Sequence, residues 1–219
     1  MKNKNSWSFE GQDRILNAVF RMKKKGFFVE VGCNHPVKNN NTYLLYKKGW
    51  KGIGIDGYKK FRNSWFKYRP KDKFICSVIS DKNKTKQFTH FKDPTNATLD
   101  KSTIKRYIKR LGKPIKRQTV KSYTLESILK KNKVKKDFDL LAIDAEGHDY
   151  EVLKGLNFKY FKPKVILIEI RFFNFLNPLK NKIVNLLYNN RYSLISKTPY
   201  DAIFVKKNEN LGWIPKKLL

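Results

Sequence analysis

The chain has 219 residues, with 49 Lys and Arg against 18 Asp and Glu, a net charge of +31. A length of this order gives one α/β domain with a full core and is short for two, and no run approaches the roughly 18 to 20 consecutive apolar residues of a membrane-spanning helix. Met1 to Trp7 is polar rather than signal-like, and Cys33 and Cys76 form neither a CxxC pair nor a cluster with histidine; this excludes a disulfide framework and a zinc site and points to a reducing, cytoplasmic setting. The charge attracts polyanions. However, Lys greatly outnumbers Arg, and Asn, Ile, Phe and Tyr are abundant, a pattern that AT-rich coding produces without selection for binding.

A helix is expected over Asp13 to Lys24, then a short β-rich strand, Phe27 to Val31, entered from Gly26 and left through Gly32. A helix capped by Thr42 runs to Lys48, a second strand covers Gly52 to Asp56, and a third covers Phe74 to Ile79. Residues 101 to 136 carry fourteen Lys and Arg and the single acid Glu126. Within them, a helix from Lys101 to Leu111 aligns Ile104, Tyr107, Ile108 and Leu111 on one face and Lys101, Lys105, Arg106, Lys109 and Arg110 on the other. That cationic face is either simply solvated or a contact for phosphate. Thr124 caps a helix to Lys131, Phe138 to Ile143 is a fourth strand ending in Asp144, and His148 to Lys154 is a helix stopped by Gly155. The unbroken apolar run of Val165 to Ile170 suits a parallel strand covered on both faces. A helix from Leu179 to Asn189 precedes strands Tyr192 to Ser196 and Ala202 to Val205, whose short connection permits only an antiparallel hairpin. The expected organisation is one domain over residues 1–206, residues 1–25 forming a helical extension, with 207–219 as a surface tail.

Candidate chemistry gathers at strand ends. Glu30 closes the first strand and Gly32 opens its turn, where a ligand can approach the backbone. Asp56 ends the second strand, placing a carboxylate to accept hydrogen bonds from both hydroxyls of a ribose. The G-x-G-x-x-G that a dinucleotide diphosphate wants at a helix N-terminus is missing. The loop from Gly32 to Thr42 is longer and polar, which suits a cofactor without phosphate, such as S-adenosylmethionine.

Three blocks together resemble the FkbM family of methyltransferases: Phe28-Val29-Glu30-Val31-Gly32-Cys33-Asn34-His35-Pro36; Asn41 to Tyr46 with Lys48 to Asp56; and Leu140-Leu141-Ala142-Ile143-Asp144-Ala145-Glu146-Gly147-His148, similar to the family's I-D-x-E-G. Ser80-Asp81-Lys82 and Pro163 to Glu169 extend the similarity, which covers about residues 26 to 206. The resemblance implies a Rossmann-like α/β fold with helices on both faces of a seven-stranded, mostly parallel sheet whose last strand is antiparallel. It also implies that Glu30, Gly32 and Asn34 line the methionine and adenosyl side of the cofactor, that Asp56 holds the ribose, and that Ser80 and Asp81 flank the adenine. Glu30 stands where Asp is commoner, Cys33 replaces a small residue, and His35-Pro36 replaces a second glycine.

Methyl transfer from a sulfonium needs in-line approach of the nucleophile, and an alcohol acceptor benefits from a general base. Asp144, Glu146 and His148 follow the fourth strand at alternating positions, and Glu169 ends its neighbour; these four are the catalytic candidates. The same groups suit a divalent cation that activates the hydroxyl, so a metal stays open. Structural roles stand beside these: Asp144 bonding to its own turn, Asp149 as a helix N-cap, His148 or His90 as turn residues. Burial of two carboxylates beside an apolar strand is costly without a task, which favours function for Asp144 and Glu146. The family resemblance implies an O-methyltransferase acting on a sugar or small-molecule hydroxyl, with a phosphorylated acceptor as a variant. The alternatives are an RNA ribose methyltransferase and a non-catalytic protein that binds nucleic acid or an anionic surface.

Overall fold

Neighbouring residues such as Phe28 and Val29, or Leu140 and Leu141, put an apolar side chain on each side of one strand, so neither face of the sheet can be left to water. The computed structural model, which describes residues 6–209 and 211, covers both faces with helices. The strands are β1 (Phe27–Val31), β2 (Lys51–Asp56), β3 (Lys73–Cys76), β4 (Val78–Ser80), β5 (Thr85–His90), β6 (Lys116–Thr124), β7 (Leu140–Ile143), β8 (Val165–Glu169), β9 (Tyr192–Lys197) and β10 (Asp201–Lys206). The helices are α1 (Gln12–Val19), α2 (Tyr43–Lys47), α3 (Phe61–Tyr68), α4 (Lys101–Leu111), α5 (Leu125–Lys131), α6 (Asp149–Lys154) and α7 (Lys182–Asn189). Among the described residues no helix is long and apolar enough to cross a membrane.

Seven strands form one sheet in the order β3-β2-β1-β7-β8-β10-β9. All neighbours are parallel until β10, which runs antiparallel to both β8 and β9, as the short hairpin connection requires. Val29, Ile55, Leu141, Ile143 and Ile166 pack against Leu129, Val152, Leu153 and Leu187 on one face. Phe28, Leu140, Leu167 and Ile203 pack against Leu16, Val19, Leu45 and Trp50 on the other. Through Leu16 and Val19, α1 is therefore a layer of the core, where the sequence suggested an extension. The surface tail expected over 207–219 falls mostly outside the described residues.

The expected third strand divides at Ser77, whose amide donates to the Asp56 carbonyl at 2.9 Å. β3 stays in the large sheet, and β4 leaves to form a second sheet, β4-β6-β5. β5, β6 and α3 carry no periodic signal in the sequence: β6 buries only Ser122 and reads as part of a charge run, and α3 buries only Trp65. The basic helix α4 occupies its expected span, but its face is rotated. It buries Thr103 and Tyr107 and leaves Ile108 and Leu111 exposed, because Tyr107 turns toward an acidic partner rather than into an apolar layer.

One fully buried cation ties this half of the molecule together. Arg69, just beyond α3, donates through Nε to Asp72 at 2.7 Å and through Nη1 to Asn40 and Thr42 at 3.0 and 2.9 Å, and lies 3.8 Å from Glu30. Its guanidinium also sits 4.3 Å from the centre of the Trp65 ring and 4.8 Å from that of Phe28. Removing one partner of a buried pair strands the other's charge at about 3 to 5 kcal/mol. Arg69→Met should therefore lower unfolding free energy by about that amount in a denaturant titration, and adding Glu30→Gln should recover part of the loss. An unchanged midpoint for the single variant would show that the network carries no stability.

Candidate active site

The chain builds outward from β1 through β2 and β3, then crosses to β7 on the other side of β1, so strand order reverses between β1 and β7. A cavity of about 450 Å³ opens beside that reversal, at the carboxyl ends of the strands, where open α/β sheets hold ligands. Gly32 makes the closest contact there. Its φ is 73°, and a Cβ on it would lie 1.7 Å from the Asp144 carbonyl oxygen. The sequence reading reserved this gap for a ligand, but the backbone of Asp144 fills it. The Gly32 amide donates to Ile55 and the Asp144 amide to Val31, each at 2.9 Å, so the ends of β1, β2 and β7 are locked together.

Asp56 is held by two backbone donors, the Asn34 amide at 2.9 Å on Oδ2 and the Tyr58 amide at 2.7 Å on Oδ1. Burial, opposed by these bonds, raises its pKa from 3.8 to about 6. Asn34 is left-handed, with φ 47°, and its carbonyl accepts from Trp65 Nε1 at 2.8 Å. Glu30 reaches the cavity, yet its carboxylate is engaged by Thr42 at 2.8 Å, Asn40 at 3.1 Å and Arg69; burial raises its pKa in spite of Arg69. Ser80 and Asp81 do not line the cavity. The break at Ser77 puts Ser77, Val78 and Ile79 on that wall, while Ser80 Oγ lies 2.9 Å from His148 Nε2 and Asp81 pairs with Lys86 at 3.6 Å.

Asp144, Glu146 and Glu169 converge on the cavity, as their strand-end positions predict. Asp144 Oδ1 is enclosed and has no hydrogen-bond partner among the described residues. Burial, and then the charges of Glu146, Glu169, Asp201 and Asp149, push its carboxyl well above the ordinary carboxylate range. Glu146, at φ 50°, accepts from the Tyr107 hydroxyl and from Arg171 Nη2 at 3.4 Å. Arg171 also donates through Nε to Glu169 at 2.7 Å, so one guanidinium clamps both glutamates. His148 borders the cavity as the N-cap of α6, its ring between Ser80 and Glu151, with burial lowering its pKa. The expected N-cap, Asp149, is one position inside the helix and accepts from the Ala145 and Gly147 amides at 2.8 and 3.1 Å.

For a cation, the structure groups different residues from those proposed. Asp144, Asp149 and Glu169 have carboxylate oxygens within 4.8 Å of one another, whereas Glu146 and His148 are directed to other partners. Asp149 is occupied by two amides and Glu169 by Arg171, which leaves Asp144 as the unengaged carboxylate of the three.

Arg171, Asp201 and Gln12, which donates to Asp201, complete the site and were not singled out in the sequence, and Tyr107 was placed there only on the apolar face of the basic helix. Arg171 alone had a signal, lying two residues beyond Glu169 and so on the same side of an extended chain. Seven of the chain's 18 acidic residues line the cavity, against two of its 49 Lys and Arg. The interior is thus negative within a strongly positive protein.

The model of the Methyltransferase FkbM domain matches residues 21–194. The chain belongs to the FkbM methyltransferase family. It is an S-adenosylmethionine-dependent methyltransferase. Solved structures similar to this FkbM protein include a TehB-like SAM-dependent methyltransferase from Corynebacterium glutamicum, at 13% identity and TM-score 0.46, covering 91% of this chain and 89% of that one. An O-methyltransferase from Bacillus cereus in complex with SAH aligns at 15% identity and TM-score 0.40, covering 89% and 80%. No curated protein matches the sequence.

Asp56 and Asp201 both have pKa values raised to about 6, largely by burial. Between the ordinary value of 3.8 and 6 the folded FkbM protein binds more protons than the unfolded chain, so these two groups make stability fall as pH rises through that window. Denaturant titrations across it should show the decline, and Asp56→Asn should flatten it. An identical slope in the variant would place the titration elsewhere.

Proposed function

We propose that this FkbM methyltransferase transfers the methyl group of adenosylmethionine to a hydroxyl of a neutral sugar, glycan or related small molecule. The observation that carries this reading is the sign of the cavity. Seven carboxyl side chains around one cavity favour a cationic sulfonium and oppose a phosphate at the transfer centre. The enclosed, unpartnered Oδ1 of Asp144 fits such a positive group as well. Asp56, pre-oriented by the Asn34 and Tyr58 amides, keeps lone pairs for the two ribose hydroxyls, and Glu30, Gly32 and Asn34 border the methionine side.

When bound, adenosylmethionine supplies an electrophilic methyl on positively charged sulfur. Asp144 Oδ1 receives the proton of the acceptor hydroxyl as its oxygen becomes nucleophilic; the raised affinity of this carboxyl for protons suits a general base. Glu146, fixed by Tyr107 and Arg171, accepts a hydrogen bond from a neighbouring hydroxyl and orients the acceptor. No step requires a metal, since the chain itself offers a base.

Asp144→Asn and Glu146→Gln should each lower kcat by at least about tenfold on the productive acceptor. Asp144→Asn should also weaken adenosylmethionine more than the uncharged product adenosylhomocysteine in calorimetric titration. Asp56→Ala should cost both ligands on the order of 1 to 3 kcal/mol. Methyl-donor turnover against glycosides, sugar phosphates and RNA tests the acceptor class. Turnover on RNA with none on any glycoside overturns the proposal, and activity that appears only with Mg²⁺ or Mn²⁺ replaces the carboxylate base with a metal-activated one.

A further inference from the structure

Beside the cavity mouth, the connection between β8 and α7 presents large apolar side chains to solvent. Phe172 is 88% exposed, Phe175 70%, Leu176 90% and Leu179 53%. Four such side chains on one short segment form a patch of the kind that soluble proteins rarely leave uncovered.

The segment is held in place rather than loose. At its base Arg171 is clamped by Glu169 and Glu146, and at its tip Asn174 Oδ1 accepts from the Leu176 and Asn177 amides at 2.9 and 3.2 Å. Phe172 adopts a left-handed φ of 56°. Phe173 anchors the middle, packed on the core, 4.8 Å from the Phe175 ring and beneath Lys197. Phe172 and Phe175 adjoin Thr198 and Pro199 of the β9–β10 hairpin. Next to that hairpin, Tyr200 lies 6.3 Å from Phe9, and both line the cavity. The apolar surface thus continues to the mouth of the active site.

Its charge surroundings choose between occupants. From residue 170 to residue 200 the chain carries Arg171, Lys180, Lys182, Arg191 and Lys197 and no Asp or Glu, and Lys180 and Lys182 are exposed. The acids that approach from other segments are Glu151, 3.5 Å from Lys182, Glu146 and Glu169 on Arg171, and Glu10, which accepts from Thr198 and the Tyr200 amide. A second copy of this chain would bring cations against cations. An anionic bilayer accepts both components, because apolar side chains sink to the acyl boundary while Lys and Arg are attracted to the anionic headgroups.

We infer that the Phe172–Leu179 segment docks this protein on an anionic phospholipid surface, with the cavity mouth facing the headgroups. The inference is independent of the acceptor assignment and can be read without turnover.

A net charge of +31 attracts the protein to any anionic surface, so the experiment must separate insertion from attraction. Flotation with vesicles of phosphatidylcholine alone and of phosphatidylcholine mixed with phosphatidylglycerol should show binding only to the mixed vesicles, with part of it surviving high salt. Phe172→Ser/Phe175→Ser/Leu176→Ser should lower the partition coefficient at least about tenfold and abolish the salt-resistant part, with calorimetric adenosylmethionine affinity unchanged. In Phe175→Trp, a blue shift in emission on mixed vesicles, quenched by brominated acyl chains, reports insertion directly. Equal partitioning of the triple-serine variant and wild type, or binding that salt removes entirely, overturns the inference. So does binding of wild type to single-stranded RNA with none to vesicles.

Discussion

The contact between Gly32 and Asp144 is the constraint on which the site depends. With no Cβ, residue 32 admits the carbonyl of residue 144 into its own side-chain space, and the turns after β1 and β7 interlock. Because Gly32 also donates to Ile55, the same contact fixes the end of β2. Three strand ends, and with them Glu30, Asp56 and Asp144, therefore share one cavity wall. Any side chain at position 32 would have to move the backbone that carries the candidate base.

Electrostatics follows from that geometry. Burial, and then the mutual repulsion of the gathered carboxylates, raises the proton affinity of Asp144 and Glu146, and at Glu146 the Tyr107 hydroxyl, Arg171 and Arg106 oppose it. A positively charged ligand relieves the same repulsion, so the strain is relieved on binding rather than in the free protein. On the outer surface the sign is reversed. The separation of a negative interior from a positive exterior explains how a chain of this composition can attract anionic surfaces while its cavity favours a sulfonium.

The elements that frame the cavity were legible because burial on both faces leaves a periodic or continuous apolar record. β1, β2, β7 and β8 lie within a residue or two of their expected spans, and α4 and α5 match theirs closely. Asp144, Glu146 and Glu169 were recognisable because polar residues that end such strands must face a cleft or pair. β6 and α3 left no record because each buries a single side chain, Ser122 and Trp65, and β5 because its polar residues do not alternate with apolar ones; the division of the third strand at Ser77 depends on a hydrogen bond to Asp56 that spans 21 residues of chain.

By itself the sequence determined the strands and helices that frame the cavity, the antiparallel hairpin at the end, and the acids that close the central strands, all of which follow from local periodicity and turn length. Only the tertiary structure decided which of those acids is free. Asp144 Oδ1 is left unengaged while Tyr107 and Arg171 hold Glu146, Arg171 holds Glu169, Thr42 holds Glu30 and two nearby amides hold Asp149. It also decided that Ser80 turns to His148 and that α4 faces the cavity through Tyr107 rather than through its aliphatic side chains. Hydrogen-bond partners are assigned by proximity in space, and contacts such as Tyr107 to Glu146 or Ser80 to His148, between separate segments, leave no periodic trace along the chain.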